Sequence, residues 1–210
     1  MLDPQDYLKF LLALFAILNP PGAVPVLLSL TSSQDTQARR AIARTTSVSV
    51  LIVLLIALFF GETLLLFFGI SIHSFRVGGG ILILLMALSM MHARATDARQ
   101  TQEESLEAVN RQSIAVVPLA MPILAGPGAI SAVILFAHRS AAWEHFILVS
   151  LILAVLSLAL YPFLRFSSAI ARRVGQTGIN IVTRVMGLIL AAIAVEFIAN
   201  GLKGLFPGLA

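Results

Sequence analysis

Long apolar runs separated by short polar stretches dominate the pattern along the chain. A bilayer core about 30 Å thick is crossed by roughly 20 apolar helical residues, and six runs are long enough to be candidates. Because apolar residues follow one another rather than alternate with polar ones, the pattern predicts transmembrane helices and not the strands of a β-barrel. The six predicted spans are residues 7–30, 45–67, 76–91, 113–137, 145–166 and 181–202.

The composition agrees with a protein that lies in a membrane over its whole length. Of its 210 residues, 59% are hydrophobic and 11% are charged, and the mean hydropathy is +0.97. A soluble domain carries about 25% charged residues, so this chain has too few polar residues to cover a water-facing surface. The chain has no cysteine, which excludes disulfides, thiol nucleophiles and cysteine metal sites.

The second half of the sequence resembles the first. NPPGAVPVLL (19–28) aligns with AGPGAISAVI (125–134), and FRVGGGILILLMAL (75–88) aligns with TRVMGLILAAIAVE (183–196). The offset is 106 between Pro21 and Pro127 and 108 between Arg76 and Arg184. Two motifs in the same order at nearly the same offset indicate an internal duplication.

Each repeat holds three spans, an odd number, so the second copy is predicted to insert upside down relative to the first. The fold class predicted is therefore an all-α membrane protein with six transmembrane helices in two inverted three-helix repeats. The predicted units are a first repeat over 1–92, a cytoplasmic linker over 93–112 and a second, inverted repeat over 113–210.

The distribution of positive charge predicts the orientation. Loops one–two, three–four and five–six hold ten cations and the opposite side holds four, and the more cationic side faces the cytoplasm. This puts both termini in the periplasm of a bacterial inner membrane. The ten are Arg39, Arg40, Arg44, Arg94, Arg99, Arg111, Arg165, Arg172, Arg173 and Arg184; the four are Lys9, Arg76, Arg139 and Lys203.

Two of the spans contain Pro-Gly sequences near their centres, which predicts breaks in the first and fourth helices at NPPG and AGPG. A proline inside a helix costs about 3 kcal/mol or more, and non-helical backbone at membrane depth persists only where it is packed in protein or lines a wet cavity. Unpaired N–H groups at a restarted helix carry a partial positive charge that suits an anionic group. The predicted substrate-binding residues are Asn19, Pro20, Pro21, Gly22, Gly126, Pro127 and Gly128.

The same motifs resemble those of the MarC family of six-span inner-membrane proteins over nearly the full chain. The resemblance rests on N-P-x-G at 19–22, on G-P-G at 126–128, and on the sequences at 68–88 and 184–202. The chain differs from the family pattern at Pro21, where an aliphatic residue is expected. The family is similar to neutral amino acid transporters and is grouped with LysE-type exporters, which implies transport of small amino acids.

Among the remaining polar residues, Glu196 and Gly79 are candidates for coupling or gating. Glu196 is the acid placed deepest in a span, where a charge is costly unless it is paired, protonated or wet; an interfacial glutamate is the alternative. Asn200 is expected to cap the last helix before Gly201. The four histidines have no metal-ligand spacing, and the chain has no phosphate-binding loop for ATP.

The sequence therefore predicts a secondary transporter that moves small neutral amino acids or similar zwitterions across a bacterial inner membrane. No enzyme activity, cofactor, metal or nucleic-acid partner is expected; the partners are a small solute, the lipid bilayer and a coupling ion, either a proton or sodium. Two alternatives stay open, namely efflux of drugs or other metabolites and a membrane assembly or interaction protein.

Overall fold

A computed structural model of the chain describes residues 2–31, 34–92, 120 and 124–209. Within these residues the chain is all-helical, with no strand, as the uninterrupted apolar runs predict. The helices are α1 (Pro4–Leu18), α2 (Pro20–Leu30), α3 (Thr36–Phe67), α4 (Ile72–Met91), α5 (Pro127–Ala137), α6 (Trp143–Arg165) and α7 (Ser167–Leu205), followed by a 3₁₀ turn at Pro207–Leu209.

Five helical segments are long and apolar enough to cross a membrane, in agreement with a multi-pass protein. They are Pro4–Leu30, Thr36–Phe67, Ile72–Met91, Trp143–Arg165 and Thr177–Leu205, and the shorter Pro127–Ala137 is also apolar. The first half of the predicted fourth span and the predicted linker over 93–112 lie outside the described residues. The structure thus confirms several membrane-spanning helices, five of them by length and composition among the described residues, and leaves the predicted number of six unconfirmed.

Helix starts are set by short polar side chains that accept hydrogen bonds from the first turn. Asp35 Oδ1 accepts from Ala38 N at 2.6 Å, so α3 begins at Thr36, nine residues before the apolar run at 45. The sequence predicts a start before that run from a capping motif at Ser32 and Asp35; Ser32 lies outside the described residues. Ser71 Oγ accepts from Ser74 N at 3.1 Å and starts α4 at Ile72. Such N-caps satisfy donors that the helix itself leaves unpaired, which places both starts in polar sequence outside the apolar runs.

The last helix differs from the prediction at both ends. Gly175 interrupts α7 with φ 69° and ψ 167°, and the membrane-crossing part begins at Thr177 rather than 181. The expectation that Asn200 caps this helix is wrong, because α7 continues to Leu205 and Asn200 Nδ2 instead donates to Glu196 Oε2 at 3.3 Å.

Contacts between helix ends define two sides of the bundle. Ion pairs and hydrogen bonds join the start of α1 to the end of α5 and the start of α6, and the end of α3 to the end of α5. We call this the N-terminal side. On the opposite side, which we call the Arg39 side, Arg39 at the start of α3 bonds to Thr31 after α2 and to Ser168 at the start of α7.

Helices α4 and α7 form the most extensive contact and run antiparallel. Glycines bring their backbones together: a Cβ on Gly80 would lie 3.0 Å from Ala194 O, and one on Gly201 would lie 3.0 Å from His73 O. Toward the other end of the pair, a Cβ on Gly187 would lie 3.0 Å from Ala87 O. Small residues permit such close approach between membrane helices.

The two halves of the chain are interlocked rather than side by side. Helix α3 packs mainly on α6 and α4 on α7, while α1 packs on α5, α6 and α7. Helix α2 packs on α6 and α7, and α5 packs on α3 and α4. Each half therefore depends on the other for most of its buried contacts.

Candidate functional site

The first helix break lies at Asn19, between α1 and α2. Its backbone is left-handed, with φ 45° and ψ 61°, and it is the one non-glycine residue with positive φ in the part of the chain that the structure describes. Asparagine tolerates this conformation better than most residues. Asn19 is 9% exposed, and its N–H still donates to Phe15 O at 3.1 Å, so the break is a sharp turn in packed protein.

The first turn of α2 has no free backbone N–H group, because its own residues either lack the N–H or bond it to Asn19. Pro20 and Pro21 carry no N–H, Gly22 N donates to Asn19 Oδ1 at 3.2 Å, and Ala23 N donates to Asn19 O at 3.3 Å. The expectation that backbone N–H groups after both breaks are available to a carboxylate is therefore wrong for the first break. Asn19 is here the cap of α2.

Gly22 permits this cap because it has no side chain. A Cβ on Gly22 would collide with the Asn19 amide nitrogen and lie 2.8 Å from Asn19 Cγ. The Asn19 Nδ2 group points toward Met90 of α4, whose sulfur is 3.8 Å away and is only a weak acceptor. The amide thus keeps donor capacity on the side that faces α4.

The start of α5 is open, in contrast to α2. Gly126 is extended (φ −74°, ψ 176°) and makes no side-chain cap, and Pro127 carries no N–H. Ile130 N donates to Gly126 O at 3.1 Å, but no acceptor for the Gly128 and Ala129 N–H groups is present among the described residues. Both residues are buried, and buried donors of this kind are normally bonded to protein, water or a ligand.

The backbone just before α5 is also irregular. Ala125 N donates to Ala120 O, five residues earlier, at 2.8 Å. Such π-type turns recur at functional sites in helical proteins.

The two helix starts adjoin each other. A Cβ on Gly128 would lie 3.7 Å from Ile17 Cγ2, two residues before Asn19, and 3.0 Å from Ile83 Cγ1 of α4. Met90 links Asn19 to α7, since a Cβ on Gly187 would lie 3.1 Å from Met90 Cβ. The structure therefore places both motifs against α4, Asn19 at Met90 and Gly128 at Ile83, seven residues apart along that helix.

Gly79, predicted as a gating residue, packs against α5. A Cβ on Gly79 would lie 2.7 Å from Ser131 Cβ and 3.0 Å from Ser131 Oγ, and both residues are buried. Its neighbours differ, because Gly80 faces α7 and Gly78 has open space around it. Gly79 thus sets the spacing between α4 and the helix that carries the open donors.

Glu196 lies outside this cluster. It is exposed on α7, where the side chain of Asn200 one turn later donates to it. The exposed position separates Glu196 from the buried residues around Asn19 and Gly128.

A cluster of side chains that we call the latch closes the N-terminal side. The Tyr7 hydroxyl lies 2.9 Å from His145 Nδ1, and His145 Nε2 lies 3.0 Å from Phe136 O. Because a carbonyl only accepts, Nε2 carries the proton and the Tyr7 hydroxyl donates to Nδ1. Asp6 pairs with Arg139 at 3.4 Å, and Phe10 stacks on Phe136 with ring centroids 4.0 Å apart.

The latch joins α1 to α5 and α6, and sequence reasoning missed it. His145 is 0% exposed, whereas the sequence shows only a histidine at the end of an apolar run. Its partner Tyr7 is 138 positions away, and no local pattern connects the two.

The Arg39 side is closed by a second set of hydrogen bonds. Arg39 Nε and Nη2 donate to Thr31 O at 3.1 and 2.9 Å, and Nη1 donates to Ser168 Oγ at 3.2 Å. The cluster around Asn19 and Gly128 is thus enclosed between two polar clusters at opposite ends of the bundle. No group of three or more potential metal ligands occurs within the described residues.

Comparison with known proteins gives consistent matches over nearly the whole chain. Residues 5–206 match the family described as MarC family integral membrane protein. The UPF0056 membrane protein YhcE of Escherichia coli is 44% identical over 99% of this chain and 96% of its own length. A UPF0056 membrane protein of Methanocaldococcus jannaschii is 41% identical over 97% and 98%, and YvbG of Bacillus subtilis is 37% identical over 93% of each chain. No solved structure matches the chain.

Proposed function

The chain belongs to the MarC family of integral membrane proteins, and on this premise we propose that it is a secondary transporter of small neutral amino acids or similar zwitterions. The observation that carries the proposal is the open start of α5, where the N–H groups of Gly128 and Ala129 have no acceptor among the described residues. A substrate carboxylate placed there accepts both N–H groups and lies at the positive end of the helix dipole. The site then needs no cationic side chain.

Asn19 supplies the second polar contact in this proposal. Its Oδ1 is used by the cap of α2, while the one partner of its Nδ2 among the described residues is the Met90 sulfur. The walls around the helix starts are the aliphatic side chains of Ile17 and Ile83. A small, mostly apolar substrate with one carboxylate fits this combination better than a large or strongly charged one.

The depth of the helix starts suits a transport site. Helix α1 has 15 residues, which at about 1.5 Å each place Asn19 roughly 22 Å from the start of the helix. With a hydrocarbon core about 30 Å thick, the break lies well inside the membrane. Paired discontinuous helices at this depth are typical of secondary transporters.

We further propose the six-span inverted repeat that the sequence predicts, with residues 113–126 completing the fourth span. The helix contacts support the repeat, because contacts made by helices of one half have counterparts made by the equivalent helices of the other half. Helix α2 packs on α7 as α5 packs on α4, and α2 packs on α6 as α5 packs on α3. The antiparallel α4–α7 pair runs through the centre of this arrangement.

Interlocked halves change the proposed route of alternating access. Rocking one three-helix repeat against the other would break most buried contacts, so we propose that α1 moves instead. Among the described helices its main contacts are with α5, α6 and α7; the latch holds it at the N-terminal side, and Asn19 gives it a hinge. Release of the latch would open the start of α5 toward the N-terminal side, and release of the Arg39 hydrogen bonds would open it toward the Arg39 side.

Charge gives the proposed orientation. The Arg39 side of the described chain holds Arg39, Arg40, Arg44, Arg165, Arg172, Arg173 and Arg184, against Lys9, Arg76, Arg139 and Lys203 toward the N-terminal side. The positive-inside rule then places the Arg39 side in the cytoplasm, with the N-terminal side and both termini in the periplasm of a bacterial inner membrane.

Uptake of labelled glycine and alanine into proteoliposomes tests the proposal, measured with and without a proton gradient and with and without a sodium gradient. The decisive variant is Gly128→Pro, which removes one open N–H but no intrahelical bond, since prolines occupy the first two positions of α2 in the same way. Hydrogen bonds to charged groups contribute about 1.5–3 kcal/mol, so we expect uptake efficiency to fall about ten- to hundredfold.

Gly128→Ala is the matched control, because it adds the same Cβ near Ile83 and keeps the N–H. We expect it to retain most uptake. Equal losses in both variants would assign the effect to crowding and not to carboxylate binding. Absence of saturable uptake by the correctly folded wild type would exclude these amino acids as substrates.

A further inference from the structure

A groove on the bilayer-facing surface runs along α3 beside α5. It encloses about 540 Å³. Along α3 its lining residues recur every three or four positions, so they form one stripe down that helix. The lining residues are Val53, Ile56, Ala57, Phe60, Gly61, Thr63, Leu64 and Phe67 of α3 with Ile130 and Ile134 of α5.

The floor of the groove is fixed by a close contact between the two helices. A Cβ on Gly61 would lie 2.5 Å from Ile134 Cδ1, so a larger residue there would have to displace the Ile134 side chain. The groove therefore lies between two helices that are in direct contact.

The groove is lined by apolar side chains apart from Thr63, and one polar pair lies beside it. Glu62 lies between the lining residues Gly61 and Thr63, and His138 lies one helical turn beyond Ile134. His138 Nδ1 donates to Glu62 Oε1 at 2.7 Å, which joins the two walls at the N-terminal side. The side chains are 42% and 45% exposed, so the carboxylate keeps accessible acceptor capacity.

The length of the groove matches one leaflet. From Val53 to Glu62 the helix rises about 13.5 Å at about 1.5 Å per residue, close to the roughly 15 Å of half a hydrocarbon core. Leu64 and Phe67 continue the groove beyond Glu62 toward the headgroup region. An acyl chain in the groove therefore begins at the Glu62–His138 pair and ends near the bilayer centre.

We propose that this groove binds one phospholipid with an amine headgroup, with an acyl chain along the α3 stripe and the ammonium on Glu62. The carboxylate decides the headgroup class, because it attracts the ammonium of an amine headgroup, whereas a headgroup without an amine brings only the negative phosphate toward it. This lipid site is separate from the cluster at Asn19 and Gly128 and does not depend on the transport proposal.

Native mass spectrometry of the purified full-length protein tests the site, with phosphatidylethanolamine or phosphatidylglycerol added at the same concentration. We expect one retained phosphatidylethanolamine and weaker retention of phosphatidylglycerol. Glu62→Gln should remove the preference, lowering phosphatidylethanolamine retention about two- to fivefold, as for loss of a half-exposed ion pair.

A second variant tests the groove itself. Thr63→Trp fills the groove beside Glu62 from an exposed position and should abolish retention. Leu158→Trp, on α6 where Leu158 is 74% exposed, is the matched control and should bind as the wild type. Equal retention of both lipids, or unchanged retention in Thr63→Trp, would overturn the proposal. So would light scattering that shows an oligomeric wild type and a monomeric Thr63→Trp variant, because the groove would then be an interface between copies.

Discussion

The contact between Gly22 and Asn19 predicts that Gly22→Ala destabilises the wild-type protein but stabilises a variant that lacks the Asn19 side chain. In the wild type, Gly22→Ala places a Cβ 2.8 Å from Asn19 Cγ and expels the side chain that caps α2. Loss of an N-cap costs about 1 kcal/mol, and a displaced buried amide costs about 1–3 kcal/mol more. Alanine returns about 0.5–1 kcal/mol through its better helix propensity, so we expect a net destabilisation of about 1–3 kcal/mol.

In an Asn19→Gly background the same substitution meets no side chain. Glycine holds the left-handed conformation without strain, so that background itself loses only the cap. Gly22→Ala should then stabilise the protein by about 0.5–1 kcal/mol, which is the propensity difference alone. The interaction energy between the two sites is therefore about 1.5–4 kcal/mol, well above the scatter of additive pairs.

Thermal stability in mild detergent measures the cycle, as the temperature at which half of the protein no longer elutes as a single gel-filtration peak. For a chain of this size 1 kcal/mol corresponds to about 2–4 °C. Gly22→Ala should lower the midpoint by about 3–10 °C in the wild type and raise it by about 1–4 °C in Asn19→Gly. Gly78→Ala, with open space around its Cβ, is the control and should be independent of Asn19. An equal decrease in both backgrounds would refute the assignment of Asn19 as the cap.

Two further predictions use the same assay. Substitutions in the run of glycines at 78–80 should differ in effect by position. Gly80→Ala should lower the midpoint by about 2–8 °C because its Cβ meets backbone atoms of α7, whereas Gly78→Ala should leave the midpoint unchanged or slightly raised. Similar effects of the two substitutions would contradict the packing described for α4. Tyr7→Phe leaves His145 Nδ1 buried without its donor, which costs about 1–3 kcal/mol. It should also increase the labelling rate of an Ala129→Cys reporter from the N-terminal side, in a chain that has no other cysteine, and an unchanged rate would exclude the latch as a gate.

Apolar length predicted the helices well, and polar sequence explains where it failed. The starts of α3 and α4 lie before the predicted spans because Asp35 and Ser71 cap them in polar segments, where hydropathy carries no helix signal. Asn200 was assigned as a cap from a local Asn-Gly pair, but α7 continues because Gly201 serves close packing against Val77.

The candidate site was located by its Pro-Gly motifs, but its chemistry could not be read from them. The two motifs look equivalent in sequence, whereas α2 is capped by Asn19 and α5 has no side-chain cap among the described residues. This difference depends on a side chain that folds back over Gly22, and on contacts with Met90 and Ile83 far away in the chain. Such contacts leave no local pattern, which is also why the latch was missed.

The interlocked packing has a consequence for how the protein is made. Synthesis proceeds from the N-terminus, so α1 to α4 enter the bilayer before α6 and α7 have been made. Most contacts of α1 to α4 are formed with these later helices. Until then the glycine face of α4 is covered only by lipid, which can hold single helices as stable intermediates. A ribosome that stops before α7 leaves α4 without its main partner. Burial of the glycine face of α4 therefore waits until α7 has been made.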